Sequence, residues 1–223
     1  FYKLYKKFCP GPITFVLNKK KNSLLTGMAT ANLKTVAVRV PKNIILRKIL
    51  KSLNFPLAIP SANKSTQVSS VSARDVVNEF GASLKFILDG GRCVIGLEST
   101  VVDLTSRAKI LRPGLISSSD ISKILKKKIN VYKESKIVKA PGMLKRHYSP
   151  GIPIKLNQTK AKNDEAFIVL GNKYKKAKNI FNLSKKSNLN EAARNLYKTL
   201  RLIKNKNYKM ICVSSIPKTG IGL

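Results

Sequence analysis

Short apolar segments separated by turn residues run through the first half of the chain. Ile13–Leu17 and Thr35–Val40 are rich in β-branched and aromatic residues and are predicted to form strands. Apolar side chains then recur at helical spacing, at Ile45, Ile49, Leu50 and Leu53. Further strands are predicted at Phe86–Leu88, Ser99–Leu104 and Lys109–Leu111. This alternation of helices and strands is typical of an α/β protein.

Polar residues mark the helix boundaries in this half. Ser72 with Asp75 is predicted to cap a short helix that ends at Gly81. Ser119, or a residue close to it, is predicted to cap a helix that continues through Leu125.

The C-terminal part of the chain has a simpler pattern. Ala166–Leu170 and Met210–Val213 are short apolar segments typical of buried strands. Between them a helix is predicted from about Leu189, with alanine, leucine and isoleucine on one face. A strand, a helix and a second strand in this order predict a small parallel sheet.

A segment of unusual composition, Ala140–Pro150, lies between these two parts. Prolines at both ends and Gly142 disfavour a helix or a central strand, so an extended connector is predicted. The segment also carries Arg146, Tyr148 and the only histidine of the chain, His147. These side chains bind anions and stack on rings, which favours a connector that touches a ligand. A linker with simply solvated side chains is an equally good interpretation.

The chain is strongly basic, with a formal net charge of +34 from 44 Lys and Arg against 10 Asp and Glu. Such a balance usually indicates nucleic acid or another acidic surface as a partner. Most of these basic residues are lysines, scattered singly or in short runs, whereas nucleic-acid surfaces more typically combine Arg with interleaved aromatics. Nucleic-acid binding is therefore a secondary hypothesis, beside general compositional drift.

Other classes are disfavoured by composition. Cys9, Cys93 and Cys212 are far apart and odd in number, as in a reducing cytosol. No apolar run approaches the roughly 18 residues of a membrane span, and no signal peptide is visible. We therefore expect a cytoplasmic protein with no membrane partner. One histidine and no cysteine cluster argue against a zinc site.

Hydroxyl, amide and arginine side chains occur repeatedly near predicted strand ends, where α/β sheets bind ligands. They are Thr35, Arg39, Ser61, Asn63, Ser99, Thr100 and Arg112. Hydroxyls and amides can hydrogen-bond a phosphate or an amino-acid carboxylate, and arginine can bind either through two donors. Each also has a simpler interpretation, as a solvated arginine, a turn former or ordinary strand polarity. No catalytic triad, Walker-type phosphate loop or dinucleotide fingerprint is present in the sequence.

Six short stretches carry a resemblance to a known family: Pro10–Thr14, Val36–Pro41, Pro60–Ser65, Gly96–Asp103, Ile110–Gly114 and Lys145–Pro150. Each is weak alone, but together they resemble the two-domain threonylcarbamoyl-AMP synthases in order and spacing. The connector motif Arg-His-Tyr-Ser-Pro is specific to the two-domain branch. The resemblance covers the whole chain. It implies a YrdC-like domain with a twisted mixed sheet (1–139), a ligand-contacting connector (140–152) and a small Rossmann-like parallel-sheet domain (153–223).

The resemblance also implies an activity. The family's enzymes are nucleotidyltransferases that join L-threonine, bicarbonate and ATP into threonylcarbamoyl-adenylate and release pyrophosphate. The product serves the threonylcarbamoyl modification of the adenosine next to the anticodon in certain tRNAs. A tRNA or a downstream threonylcarbamoyl-transfer complex is therefore a candidate partner. The implied cofactor is Mg²⁺, held by the ATP phosphates and not by protein ligands.

The resemblance assigns contacts residue by residue, and it assigns no catalytic residue. The implied ATP contacts are Thr35, Ser61, Asn63, Ser69, Arg112 and Tyr148. The implied threonine contacts are Arg39, the backbone at Ile59, and Ser99. Tyr148 would belong to a lid that excludes water from the reactive adenylate.

The chain departs from the family pattern at its ends. The family's N-terminal portion, with a Lys/Arg motif on the phosphates and threonine-binding residues, would precede Phe1. By the same resemblance, the last helix of the C-terminal domain would follow Leu223. We therefore expect the full-length parent to be active and this chain alone to be inactive. The competing hypotheses are an RNA-binding or regulatory YrdC-like module, an inactive fragment, and a related carbamoyl-transfer protein, which the connector motif argues against.

Overall fold

A computed structural model describes residues 1–132 and 148–222. Within these ranges the helices are α1 (Tyr2–Phe8), α2 (Ile44–Ser52), α3 (Ala73–Phe80), α4 (Ser118–Leu125) and α5 (Leu189–Lys204). The strands are β1 (Ile13–Asn18), β2 (Thr35–Val38), β3 (Thr100–Asp103), β4 (Lys109–Arg112), β5 (Asn130–Val131), β6 (Ile154–Lys155), β7 (Glu165–Val169), β8 (Ile180–Asn182) and β9 (Met210–Val213). Short 3-10 turns lie at Met28–Thr30, Gly81–Ser83 and Gly220–Gly222.

The chain folds into two compact units. Of the described residues, the first unit holds 1–60 and 98–132, and the second holds 61–97 and 148–222. Residues 61–97 are grouped with the C-terminal residues because Val68 and Val71 are buried in the same core as Ile168 and Leu200. The boundaries expected from the family resemblance stay a prediction, and residues 140–147 of the expected connector lie outside the described residues.

The first unit is built on a mixed sheet with the strand order β2-β1-β3-β4-β5. β1 is antiparallel to β2 and parallel to β3, β3 is antiparallel to β4, and β4 is parallel to β5. Leu4 of α1 and Ile121 of α4 pack with Phe15 and Ile110 on one face. Since side chains alternate along a strand, Val16 is directed to the other face, where a smaller cluster forms.

The second unit contains a parallel sheet with the order β6-β9-β7-β8. α5 connects β8 to β9 and buries Ala192, Tyr197, Leu200 and Ile203 in the core that also contains Ile168. The predicted combination of a mixed sheet with a small, separate parallel sheet is thereby confirmed.

Most predicted element boundaries are confirmed. Asp75 donates its backbone N–H to Ser72 Oγ at 3.3 Å, and the helix that this contact caps ends before Gly81. The second cap is Ser117, which forms a capping box with Asp120, close to the predicted Ser119.

The predicted strand at Phe86–Leu88 is wrong. These residues lie in an irregular segment, and Phe86 is 92% exposed. Three consecutive apolar residues are a weak signal for a strand, because a strand also needs a neighbour that accepts and donates its backbone hydrogen bonds. Within the described ranges, no helix is long and apolar enough to span a lipid bilayer.

Candidate functional site

One edge of the mixed sheet gathers three of the predicted site residues. Because β2 and β4 run antiparallel to β1 and β3, the ends of β2 and β4 meet the beginnings of β1 and β3 at this edge. Arg39 follows β2, Arg112 ends β4, and Ser99 immediately precedes β3. A β-bulge places Arg112 opposite Val101, since Ile110 already pairs with Val102.

Arg112 and Ser99 form the best-defined polar cluster of this edge. The Arg112 guanidinium donates to the Ser99 carbonyl oxygen from Nε at 3.1 Å and from Nη2 at 2.9 Å. Nη2 also donates to Ser99 Oγ at 3.0 Å, and that oxygen lies 2.7 Å from Thr14 Oγ1. Glu98 Oε2 is 3.8 Å from the same guanidinium nitrogen. The positive charge is therefore held in a defined position beside two hydroxyl groups.

The turn after Arg112 explains why the sequence has Gly114 there. A Cβ atom at Gly114 would lie 2.6 Å from both the Glu98 carbonyl oxygen and the Thr100 backbone nitrogen. Thr100 Oγ1 donates to the Ile116 carbonyl oxygen at 2.9 Å and accepts from the Ile116 N–H at 3.1 Å. The close approach of these two segments fixes the backbone that follows Arg112.

Arg39 is exposed at the same edge and is anchored to the turn before β1. Its Nε donates to the Gly11 carbonyl oxygen at 3.1 Å, and the Gly11 N–H donates to the Val40 carbonyl oxygen at 3.0 Å. Arg39 therefore has a specific contact and is not simply a solvated strand residue. Burial raises the pKa of the nearby Cys9 thiol, although a backbone hydrogen bond with Val40 and the positive charge of Arg39 both act to lower it.

Thr35 lies away from the Arg112–Ser99 cluster. Thr35 pairs with Asn18 at the opposite end of β2, roughly 13 Å from Arg39 at the ordinary rise of a strand. Ile59 is 58% exposed in the irregular segment after α2.

Three of the remaining described candidates, Ser61, Asn63 and Ser69, lie in the second unit, in a segment that we call the 61–69 loop. Ser61 is exposed and accepts the Asn63 N–H at 3.0 Å through its carbonyl oxygen. Asn63 Nδ2 donates to the carbonyl oxygens of Lys64 and Gln67 at 2.8 and 3.2 Å. In the described part of the chain, the buried Asn63 Oδ1 has no hydrogen-bond partner, so a donor from a ligand would suit it. Ser69 is 5% exposed.

Tyr148 lies beside this loop. Its ring stacks on Tyr197 of α5 with a centroid distance of 5.5 Å and an interplanar angle of 22°. The next residue, Ser149, forms a parallel bridge with Gln67 and donates its N–H to the Thr66 carbonyl oxygen at 2.8 Å. Arg146 and His147 of the connector motif lie outside the described residues.

Sequence reasoning missed two members of the cluster in the first unit. Thr14 and Glu98 belong to the Pro10–Thr14 and Gly96–Asp103 stretches that carry the resemblance, but neither was assigned a contact. Their positions within stretches that resemble the family are the sequence signal that could have identified them as members of the cluster. Among the described residues, no group of three or more His, Cys, Asp or Glu side chains is arranged to hold a metal ion.

The chain combines a mixed-sheet unit, which carries arginine and hydroxyl side chains at one edge, with a small parallel-sheet unit. It is therefore a two-part α/β protein suited to anionic ligands. Two family models match this chain. Residues 1–114 match the Sua5, YciO and YrdC family, described as telomere recombination, and residues 116–223 match the C-terminal domain of threonylcarbamoyl-AMP synthase. The chain belongs to the threonylcarbamoyl-AMP synthase family, as the resemblance implied.

Individual relatives agree with the family models. The threonylcarbamoyl-AMP synthase of Pyrococcus abyssi is 35% identical, with 99% of this chain and 69% of the relative covered. That of Bacillus subtilis is 30% identical with the same coverage. That of Schizosaccharomyces pombe is 39% identical over 66% of this chain and 39% of the relative.

Solved structures match equally well. The crystal structure of P. abyssi Sua5 complexed with L-threonine superimposes with a TM-score of 0.88 at 32% identity, covering 99% of this chain and 70% of that chain. A doubly substituted variant of P. abyssi Sua5 gives a TM-score of 0.85 at 32% identity, with 99% and 69% covered.

Proposed function

We propose that this chain serves the synthesis of threonylcarbamoyl-adenylate from L-threonine, bicarbonate and ATP, with release of pyrophosphate, for threonylcarbamoyl modification of tRNA. The observation that carries the proposal is the direct contact between Arg112 and Ser99 at the sheet edge. The relatives carry the name threonylcarbamoyl-AMP synthase, and the P. abyssi structure was determined with L-threonine, which supports the same substrate class here.

Within the first unit, the proposed contacts of Ser99 with threonine and of Arg112 with ATP lie side by side. Arg39 and Ser99 would bind threonine, with Arg39 as a clamp for the carboxylate, and the backbone at Ile59 would contribute a further contact. Arg112 and Thr35 would bind ATP. Arg112 Nη2 lies 3.0 Å from Ser99 Oγ, so a group bound by the arginine would adjoin a group bound by the serine. The reaction requires this adjacency, because an atom derived from threonine must reach the nucleotide.

In the second unit, Ser61, Asn63, Ser69 and Tyr148 would contact ATP. The unsatisfied Asn63 Oδ1 would accept a hydrogen bond from the nucleotide. The Tyr148 ring, stacked on Tyr197, would exclude water from one side of the bound nucleotide.

The proposed chemistry begins with the threonine amine, which combines with bicarbonate to give a carbamate and water. A carbamate oxygen then attacks the α-phosphorus of ATP, the bond to the bridging oxygen breaks, and pyrophosphate leaves. Arginine and hydroxyl donors suit this role, because catalysis here needs positioning and charge stabilisation more than a nucleophile and base pair. Mg²⁺ would arrive with the ATP phosphates and shield their charge, which fits a cluster whose one described carboxylate, Glu98, already faces Arg112.

The proposal is tested by pyrophosphate release with threonine, bicarbonate, ATP and Mg²⁺. This chain and a version extended upstream with the P. abyssi relative's residues are assayed side by side, and each substrate is omitted in turn. Release that depends on both threonine and bicarbonate supports the proposal, and release by the extended version alone assigns essential contacts to the added residues. No release by either version would overturn it.

The charge of +34 favours one second candidate, an RNA-binding or regulatory module. Such a module would bind tRNA without ATP, and its affinity would fall steeply as salt is raised, because Lys and Arg release counterions from phosphates. Binding of tRNA to this chain between low and physiological salt, with and without ATP, separates this candidate from the synthase.

A further inference from the structure

Arg201 of α5 joins the C-terminal part of the chain to the 61–69 loop within the second unit. Its Nη1 donates to the Val68 carbonyl oxygen at 2.8 Å, directly before Ser69. Its Nη2 donates to the Asp75 carbonyl oxygen at 3.2 Å and to Glu79 Oε2 at 3.0 Å. The side chain is only 14% exposed. One guanidinium therefore holds the end of the loop and both turns of α3.

The other end of the loop is held through Glu79. The Lys64 N–H, directly after Asn63, donates to Glu79 Oε1 at 3.1 Å, while Oε2 of the same carboxylate accepts from Arg201. Burial alone would raise the pKa of this carboxyl, but the Lys64 N–H and the Arg201 guanidinium together lower it. Arg201 is thus linked by hydrogen bonds, directly to Val68 and through Glu79 to Lys64, to the immediate neighbours of Ser69 and Asn63.

Two other side chains on the same face of α5 support this contact. Tyr197, Arg201 and Lys204 are spaced by four and three residues, which places them on one face of a helix. Tyr197 stacks on Tyr148, and Lys204 Nζ donates to Gln67 Oε1 at 2.7 Å. This face therefore contacts the last part of the loop, at Gln67 and Val68, and the tyrosine beside the loop.

We infer that α5 shapes the nucleotide contacts of the 61–69 loop, with Arg201 as the positioning residue. The inference rests on the proposed function, because it takes Asn63 and Ser69 to contact ATP. It gives the C-terminal domain a role in substrate binding: the domain supplies the helix that holds the loop. Arg201 itself touches neither of the assigned side chains, and its effect would pass through the backbone at Val68 and Lys64.

The experiment compares Arg201→Gln, Glu79→Gln and Lys198→Ala in this chain. Lys198 is exposed one turn before Arg201 and lines the same groove as Asp75 and Glu79, so Lys198→Ala is the matched control. Hydrogen exchange is measured at the Lys64 and Gln67 amides, and ATP binding is measured by calorimetric titration. The amides of β7 and β9 report whether the unit stays folded.

We expect exchange at Lys64 to accelerate by about tenfold or more in Arg201→Gln and Glu79→Gln, while β7 and β9 stay protected. ATP affinity should fall by a similar factor in both variants and stay unchanged in Lys198→Ala. Arg201→Lys should recover only part of the affinity, because a single ammonium group cannot reach the carbonyl oxygens of Val68 and Asp75 and the Glu79 carboxylate together.

The failures of the two proposals are distinguishable. If the unsubstituted chain binds no ATP, the proposed function is wrong and this inference is wrong with it. If the unsubstituted chain binds ATP and Arg201→Gln binds it equally well, this inference alone is wrong. Faster exchange at Lys64 with unchanged ATP affinity would also overturn it, because Arg201 would then have a purely structural role.

Discussion

Arg112 holds the residue that precedes β3: its Nε and Nη2 atoms lie 3.1 and 2.9 Å from the carbonyl oxygen of Ser99. Arg112 ends β4 and Ser99 immediately precedes the adjacent antiparallel strand β3, and the β-bulge opposite Val101 aligns them. In the proposed site this contact links a residue for ATP with a residue for threonine.

The first prediction concerns this contact. Arg112→Gln should reduce ATP affinity by roughly tenfold or more, since hydrogen bonds to charged groups contribute about 1.5–3 kcal/mol. The measurement is calorimetric titration with ATP. Arg107→Gln is the matched control, because Arg107 is exposed in the turn at the other end of β4. Equal affinities of the two variants, with both folded by circular dichroism, would contradict the assignment of Arg112.

The second prediction concerns the turn at Gly114. Gly114→Ala should destabilise the first unit by about 1–3 kcal/mol, because the added methyl group would collide with backbone atoms of Glu98 and Thr100 that cannot rotate away. Urea unfolding measures the change. Ser106→Ala, in an exposed turn, should stay within about 0.5 kcal/mol of the parent chain. A Gly114→Ala chain as stable as Ser106→Ala would show that the turn can move.

The third prediction concerns the stacked pair of Tyr148 and Tyr197. Tyr148→Ala should weaken ATP binding and lower stability, since a stacked aromatic pair contributes about 0.5–1.5 kcal/mol beyond its buried area. Tyr148→Phe keeps the ring and should retain most of both. Tyr174→Ala removes a ring that packs on Phe167 elsewhere in the same unit, and it should leave ATP affinity unchanged. Equal ATP affinities for Tyr148→Ala and Tyr148→Phe would show that the Tyr148 ring does not contribute to ATP binding.

Local sequence signals were sufficient for elements that carry their own pattern. β7 is a continuous apolar run and α5 has one apolar face, so both were predicted at close to their observed positions. The segment Phe86–Leu88 has a similar apolar run, but being a strand depends on a neighbour that lies elsewhere in the chain. A short apolar run therefore does not by itself distinguish a strand such as β7 from an irregular segment such as Phe86–Leu88.

The candidate site was predictable as a set of residues but not as a geometry. Short recognisable stretches pointed to Ser99 and Arg112, whereas the contact between them depends on the register and bulge of two strands. The role of Arg201 has no signal in the local sequence. Its partners Val68 and Glu79 are separated from it by 133 and 122 positions, and no local periodicity reports contacts at that distance.

The fourth prediction concerns acid stability of the second unit. Glu79 is buried, which would raise the pKa of its carboxyl, but hydrogen bonds from the Lys64 N–H and Arg201 hold that pKa below its usual value. In the unfolded chain a glutamate has a pKa of about 4.3. The ionised form therefore stabilises the folded state above that pH, and the contribution is lost as pH falls from there through the lower folded-state pKa.

The substitution Glu79→Gln tests the direction of this pH dependence. The difference in unfolding free energy between the parent chain and the variant should be largest and constant above about pH 6, and it should shrink as the pH is lowered below about 4.3. Glu165, whose pKa is also lowered, is present in both proteins, so its contribution cancels in the difference. Urea unfolding at a series of pH values gives the measurement. A difference that stays constant or grows toward low pH would mean that the Glu79 carboxylate is not stabilised by Lys64 and Arg201 in the folded protein.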